Sequence, residues 1–373
     1  MKKIENKFIS EGRRIRFTNF VDLQSEGFEE KATFLIGAAI DQTLSYLKQT
    51  KRPFYLLQIS DLEAEPLFQA AIFIGSNRFL PFAMATVPNL APGRSPEEEA
   101  FGIKILKELS SDIPGVMTLR LRPKRFQNIH LDAFETAAKR FGYEPAPPVG
   151  PIRTLILEIG TSIDDLHASL PQKTRQRLRH AGRETVEIRS FVEPRYIETC
   201  REALTASRLR SGGTVSDEDI EAAFELARME PHRARLFGLF AKNNPEKLLA
   251  FVSGFVNGKS GEYSFAGALN DPLLRTMPYN YFLLWELIKW EMEEGCTRID
   301  LGGVTDESEN DPLKGVSRFK RSITKNELEI GREMTTLIRP LRYLFYTWLK
   351  KFSLSNLFSA FKTNPVRSLA TDD

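Results

Sequence analysis

Asp300 closes the segment Thr297-Arg298-Ile299-Asp300 and is followed by Leu301, Gly302 and Gly303. A carboxylate where a strand gives way to two glycines suits a group that takes a proton from an incoming ammonium or orients it. The same placement also suits a turn acceptor capping Gly302 and Gly303, and both readings stay open. Upstream, Arg275 and Thr276 come just before Pro278 and a helix start at Tyr279 and Asn280. A helix N-terminus attracts anions when its first turn carries no carboxylates, so a phosphate is expected to be accepted there. Lys173, Arg175, Arg177, Arg179 and Arg183 fall within eleven residues that contain no acid. This local basic surface is either a solvated helix face or a surface that tracks phosphates, for tRNA or a nucleotide-linked substrate.

Other chemistries find less support. His130, His167, His180 and His232 share no spacing, and there is no Gly-x-Ser-x-Gly elbow, Walker loop or dinucleotide fingerprint. Direct transfer is therefore preferred over a covalent serine or cysteine intermediate. Cys200 and Cys296 lie far apart, with no thiol or histidine at metal-ligand spacing. They read as small buried hydrophobes in a reducing compartment, so neither a disulfide nor a metal is expected and the cytoplasm is favoured. No run of eighteen apolar residues occurs, and the basic start MKKIENKFISEGRRIRF is followed by no apolar stretch, so neither export nor spanning is indicated. The net charge is only +3.

The elements that must position these residues recur in one order. At 373 residues the chain exceeds one usual core. The segment Glu144 to Pro151, with four prolines and a glycine in eight residues, is the best boundary. Before it, AAIFIG and FLPFAMATV read as strands, NLAPGRSP as a loop, EEEAFGIKILKEL as an amphipathic helix and GVMTLRLRP as a strand. After it, LLAFVSGFVNG and EYSFAGAL are strands, NDPLLRTMP is the loop, YNYFLLWELIKWEMEEG the helix and TRIDLGG the strand. One α/β unit is thus expected twice, over 1–150 and 151–335. Only the second carries an acid-free helix start, since Glu97, Glu98 and Glu99 fill the first. The helix from Tyr279 is apolar around most of its circumference and should be buried. Leu170 to Gly182 is expected to form a surface helix with Leu170, Thr174, Leu178 and Ala181 on a narrow stripe. The remainder, 336–373, reads as an amphipathic basic tail. Leu341, Leu344, Phe345, Trp348 and Phe352 share a helical face, and a second apolar set, Leu357, Phe358 and Phe361, follows. Over residues 340–362 this tail either packs on the protein or lies on an anionic membrane surface.

Several segments together resemble the FemAB-type aminoacyltransferases, a branch of the GNAT acyltransferases. They are TLRLRP, PIRTLILEI, SLPQKTRQRLRHAGRETVEIR, DLGG, the pair Phe319-Lys320 and Glu329 to Gly331, in that order, over roughly Thr118 to Gly331. Ile323-Thr324 stand where that family usually has Phe-Gly, and Ala268 where a serine often follows Gly267. The resemblance implies two tandem GNAT-like α/β domains, with mixed sheets, facing a shared cleft. It implies transfer of an aminoacyl group from aminoacyl-tRNA to an amine of a peptidoglycan or other envelope precursor, at the inner face of the cytoplasmic membrane. Relatives in the superfamily instead take acyl groups from coenzyme A. No resident cofactor is implied by either. Both reactions are amine attack on an activated carbonyl, which needs a deprotonated amine, close positioning and donors aimed at the oxyanion. The resemblance assigns oxyanion or phosphate stabilisation to Lys320, with Phe319 as its apolar wall. Tyr263, Arg275, Tyr279, Asn280, Gly302 and Gly303 are then expected to contact substrate.

Overall fold

The computed structural model describes residues 5–19, 39–76, 82–124, 131–160, 162–210, 220–308 and 311–349. His130 and the tail beyond residue 349, with its second apolar set, lie outside them. Two mixed sheets form the frame. In the first the strands run in the order Glu5–Ser10, Arg13–Asn19, Phe54–Ser60, Pro66–Ser76, Ala83–Leu90, Val116–Pro123, Met334–Leu337 and Glu144–Pro145. In the second the order is Glu327–Glu329, Arg153–Glu158, Arg298–Val304, Ser260–Ala268, Asn244–Asn257, Ala234–Ala241 and Val186–Ser190.

The repeated unit is visible in both. Pro66–Ser76 turns back antiparallel into Ala83–Leu90, the helix Pro96–Ser110 follows, and Val116–Pro123 returns parallel. Asn244–Asn257, Ser260–Ala268, the helix Tyr279–Glu293 and Arg298–Val304 repeat this path. One strand departs from it. Met334–Leu337 leaves the second unit and pairs antiparallel with Val116–Pro123, Thr335 opposite Arg120. Residues 334 and 335, placed at the end of the 151–335 unit by sequence, thus belong to the first sheet. The Pro-rich link contributes only the two-residue edge strand beyond it, where a missing N–H is tolerated.

The expected helix from Leu170 to Gly182 is shorter and broken. It runs Gln172–Leu178 and is followed by a 3-10 turn over Ala181–Thr185. The His180 ring nitrogen Nδ1 accepts the Gly182 N–H at 3.0 Å, so that amide is not available to continue the helical ladder. Leu170, Thr174 and Leu178 are buried as the stripe requires, whereas Ala181 is exposed.

Layers alternate through the molecule. Pro96–Ser110 and Leu131–Arg140 cover the outer face of the first sheet, and Tyr279–Glu293 covers the outer face of the second. Between the sheets lie the helices Leu44–Gln49, Ile197–Arg210 and Ile220–Met229. Their core joins Phe54, Leu56 and Phe73 of the first sheet to Leu236, Phe251 and Phe265 of the second, so the two lobes share apolar packing. Gly267 permits the closest approach in this layer: a Cβ there would lie 2.6 Å from the Leu204 nitrogen and 2.7 Å from the Ala203 carbonyl carbon. A helix backbone cannot rotate aside as a side chain can. Gly267→Ala should therefore cost roughly 1–3 kcal/mol in urea unfolding, the usual range for overpacking.

Candidate active site

The parallel ladder between Ser260–Ala268 and Arg298–Val304 stops early. Ser260, Gly261 and Glu262 face Arg298, Ile299 and Asp300, and beyond that point the two strands diverge. In the first lobe the equivalent pair is interrupted between Val87 and Leu90 but closes again with Leu90 opposite Pro123. Only the second lobe is therefore open between its parallel strands. Two local features accompany the divergence. The register of Ser260–Ala268 against its hairpin partner slips between Phe265↔Ser253 and Tyr263↔Gly254, a bulge at Ser264. Gly302 takes φ +82°, a conformation open to glycine at little cost, and its N–H donates to Asp300 Oδ1 at 2.8 Å.

The helix Lys314–Arg321 fills the mouth of this wedge. Lys320 is buried, its Nζ donates to the Gly303 carbonyl at 3.1 Å and lies 5.5 Å from the centroid of the Tyr263 ring. Among the described residues no carboxylate lies within ion-pair distance of it. Burial lowers its pKa to about 8; Asp300 opposes that shift while Arg208 and Lys124 add to it. Phe319 packs edge-on to Tyr281, ring centroids 4.9 Å apart. Ile323 enters the second-lobe core and Thr324 donates to the Ile156 carbonyl, which accounts for both residues at the Phe-Gly position.

Beside this wedge lies a cavity of about 460 Å³, lined among others by Tyr263, Tyr279, Asn280, Phe319, Ser207 and Arg210. The helix Tyr279–Glu293 begins at its wall with no acid in the first turn and no side-chain cap on its N–H groups. Ser207 and Arg210, at the end of Ile197–Arg210, had no recognisable sequence signal. They reach the wall because Ser207 Oγ accepts the Ala268 N–H and Arg210 donates to the Ala268 carbonyl.

The structure therefore brings Lys320, Phe319, Tyr263, Tyr279, Asn280, Gly302, Gly303 and Asp300 to one wedge and its cavity. Arg275 is not with them: it is exposed on the 3-10 turn Pro272–Thr276 and does not line the cavity, and Thr276 is occupied by the Leu273 carbonyl. Of the five basic residues, Lys173, Arg177 and Arg179 are exposed and Arg175 and Arg183 half-buried. Arg175 donates to the Ala168 carbonyl, Arg177 to the Tyr281 hydroxyl, Arg179 to the Arg175 carbonyl, and Arg183 pairs with Glu286.

Asp300 is 3% exposed and points to the face between the lobes. Thr154 donates to its Oδ1, and Lys124 Nζ lies 2.8 Å from its Oδ2. Burial alone would raise its pKa, but Lys124, Thr154 and the Gly302 N–H together hold it below the usual carboxylate value. A carboxylate so held is a poor proton acceptor, and its geometry is that of the turn acceptor. Two acids nearby are shifted the other way. Asp41, half-buried in the first lobe, is raised to about 7 by burial and by Glu262. Glu291, completely buried beneath Gly261, is raised well above its ordinary value by burial, with Glu262 and Asp300 adding to it.

Two lobes of this build, one with splayed parallel strands beside a cavity, define a tandem GNAT-like fold. Residues 168–321 match the family model described as Acetyltransferase (GNAT) domain, and that stretch includes both Asp300 and Lys320. Among solved structures, one titled as the crystal structure of FemX aligns with 92% of this chain and 99% of its own, TM-score 0.67 at 14% identity. The C-terminal domain of a putative lysylphosphatidylglycerol synthetase from Agrobacterium fabrum aligns with 86% of this chain and 96% of its own, TM-score 0.51 at 13% identity. No curated protein matches the sequence.

Proposed function

We propose that the chain transfers an aminoacyl group from aminoacyl-tRNA to an amine of a peptidoglycan or other envelope precursor. The observation that carries this is the wedge itself. A buried cation with no carboxylate partner among the described residues stands where a carbonyl entering between the parted strands would develop negative charge, and the other lobe faces it. The FemAB-type resemblance supplies the donor and acceptor classes. Phe319 and Tyr263 reduce water around Lys320, which strengthens that stabilisation. No cofactor takes part. Comparing envelope precursors by mass in cells with the native protein, without it, and with Lys320→Ala tests the reading. An increment equal to an amino acid that depends on Lys320 supports it; no change in any envelope component overturns it.

A second reading, transfer from acyl-coenzyme A to an envelope glycan or lipid, is favoured by one feature, the uncapped and acid-free helix start at the cavity wall, which suits a diphosphate. Retention of coenzyme A by the purified protein, without salt-sensitive RNA, would select it.

Acting on such a precursor would bring the protein to the cytoplasmic membrane face. No helix among the described residues is long and apolar enough to cross a membrane. Leu341, Leu344, Phe345 and Trp348 nonetheless stand 83, 61, 52 and 56% exposed on the helix over residues 340–349, although Phe345 and Tyr346 also meet the Phe82 ring edge-on. This row is the peripheral contact. Leu344→Glu with Trp348→Glu should lower binding to phosphatidylglycerol vesicles by roughly tenfold or more in sedimentation, since two apolar side chains leave the interface.

A further inference from the structure

Lys124 follows the last residue of Val116–Pro123, and its backbone N–H closes the first lobe's parallel pair by donating to the Leu90 carbonyl at 3.0 Å. Its side chain leaves that lobe. It is 6% exposed, and Nζ lies 2.8 Å from Asp300 Oδ2 and 3.2 Å from Glu262 Oε2, both on the last paired rung before the second lobe's strands part. Asp300 is thereby fully engaged: Oδ2 by Lys124, Oδ1 by Thr154 and by the Gly302 N–H. Lys320, on the other side of the Gly302 turn, donates to the Gly303 carbonyl and has no carboxylate within ion-pair distance among the described residues. A Cβ on Gly302 would come within 3.1 Å of Lys320 Nζ, so the turn and the ammonium are in direct contact.

We propose that Lys124 is a positioning residue through which the first lobe sets the state of the second lobe's transfer site. By holding Asp300 on the inter-lobe face, it keeps that carboxylate from pairing with Lys320, whose ammonium stays directed at the wedge. Two cations compete for one buried carboxylate, and the one from the other lobe wins. The transfer site is then complete only when the lobes are docked, because a separated second lobe would let Asp300 neutralise Lys320. This rests on the reading of Lys320 as the site's cation, but its test needs neither donor nor acceptor.

The test is an NMR titration of the Lys320 side chain in full-length protein labelled on lysine, with the resonance assigned by Lys320→Arg. In the wild-type protein the midpoint lies near 8, where burial and the two neighbouring cations hold it. Lys124→Gln keeps a hydrogen-bond donor but no charge and frees Asp300, so the Lys320 midpoint moves upward; Lys124→Arg keeps the charge and leaves it in place. Should Lys124→Gln not fold, the double variant Lys124→Met/Asp300→Asn leaves no lone ion between Asp300 and Lys124. There the midpoint falls below that of the wild type, because Asp300 raises Lys320 more than Lys124 lowers it. An unchanged midpoint in Lys124→Gln, or one at or above wild type in the double variant, overturns the positioning role. A silent transfer assay with the titration as stated would instead overturn the proposed function alone.

Discussion

Lys320→Met is expected to lose at least about 100-fold in kcat for acyl transfer while making the protein more resistant to urea. The loss follows from removing a donor aimed at the developing oxyanion in a dry site, which typically costs 10²–10³-fold. The gain follows from linkage. The unfolded chain has its lysine at the ordinary 10.5, whereas the folded one holds Lys320 near 8 because of burial. At pH 7 both states are protonated, and the folded state bears the full cost of a buried charge, about 3 kcal/mol for this shift. Wild-type stability should accordingly rise as pH increases between about 8 and 10.5, where the unfolded chain binds the extra proton. Methionine fills a similar volume and titrates nowhere, so the variant should be more stable at pH 7 and lack that rise. Activity that needs the ammonium should decline in the wild type above about pH 8. Urea unfolding at pH 7 and pH 10, with kcat against pH, checks all three; a destabilised but active variant would contradict the role given to Lys320.

Asp300→Asn should act in the opposite sense on stability. Its partners include a buried lysine, and breaking a buried pair by neutralising one member leaves the other uncompensated, at about 3–5 kcal/mol. The sign against pH is also opposite. Asp300 titrates lower in the folded state than the ordinary 3.8, so its contribution is present above 3.8 and is lost as pH falls through the folded value. Asn in its place should remove that acid-side loss together with the stability it reflects. Thermal or urea unfolding at pH 7 and at about pH 2.5 would show a large deficit at the first and a smaller one at the second. Wild-type stability at pH 7 would mean that the Lys124 contact does not form.

The duplicated unit was legible in sequence because each half repeats strand, loop, amphipathic helix and strand with punctuation at the same places. Glu97 to Glu99 fill the first turn of one helix, whereas the start at Tyr279 is free of acids and lines the cavity. Lys320, Phe319 and Asp300, singled out by spacing and resemblance, lie together at the wedge. Lys124 was not, because a single lysine after Arg122-Pro123 reads as surface, and only the docking of two sheets makes it a buried ion. Glu291 was hidden in the same way: on a helix apolar almost all round, one glutamate near the end reads as a solvated tip, yet it lies beneath Gly261. Arg275 stands apart from the cavity for the converse reason, since sequence adjacency to the helix start did not fix which way a 3-10 turn would point it. The strand Met334–Leu337 could not be assigned to its sheet, because four alternating residues specify a strand but not a partner.

That strand has a consequence for how the polypeptide is made. Val116–Pro123 remains an unprotected edge until residues more than two hundred positions later have been synthesised, so the N-terminal half cannot finish its sheet while the ribosome is still translating the other. Proteolytic cutting within the proline-rich link should therefore yield two fragments that stay together, and the intact chain should melt in a single step.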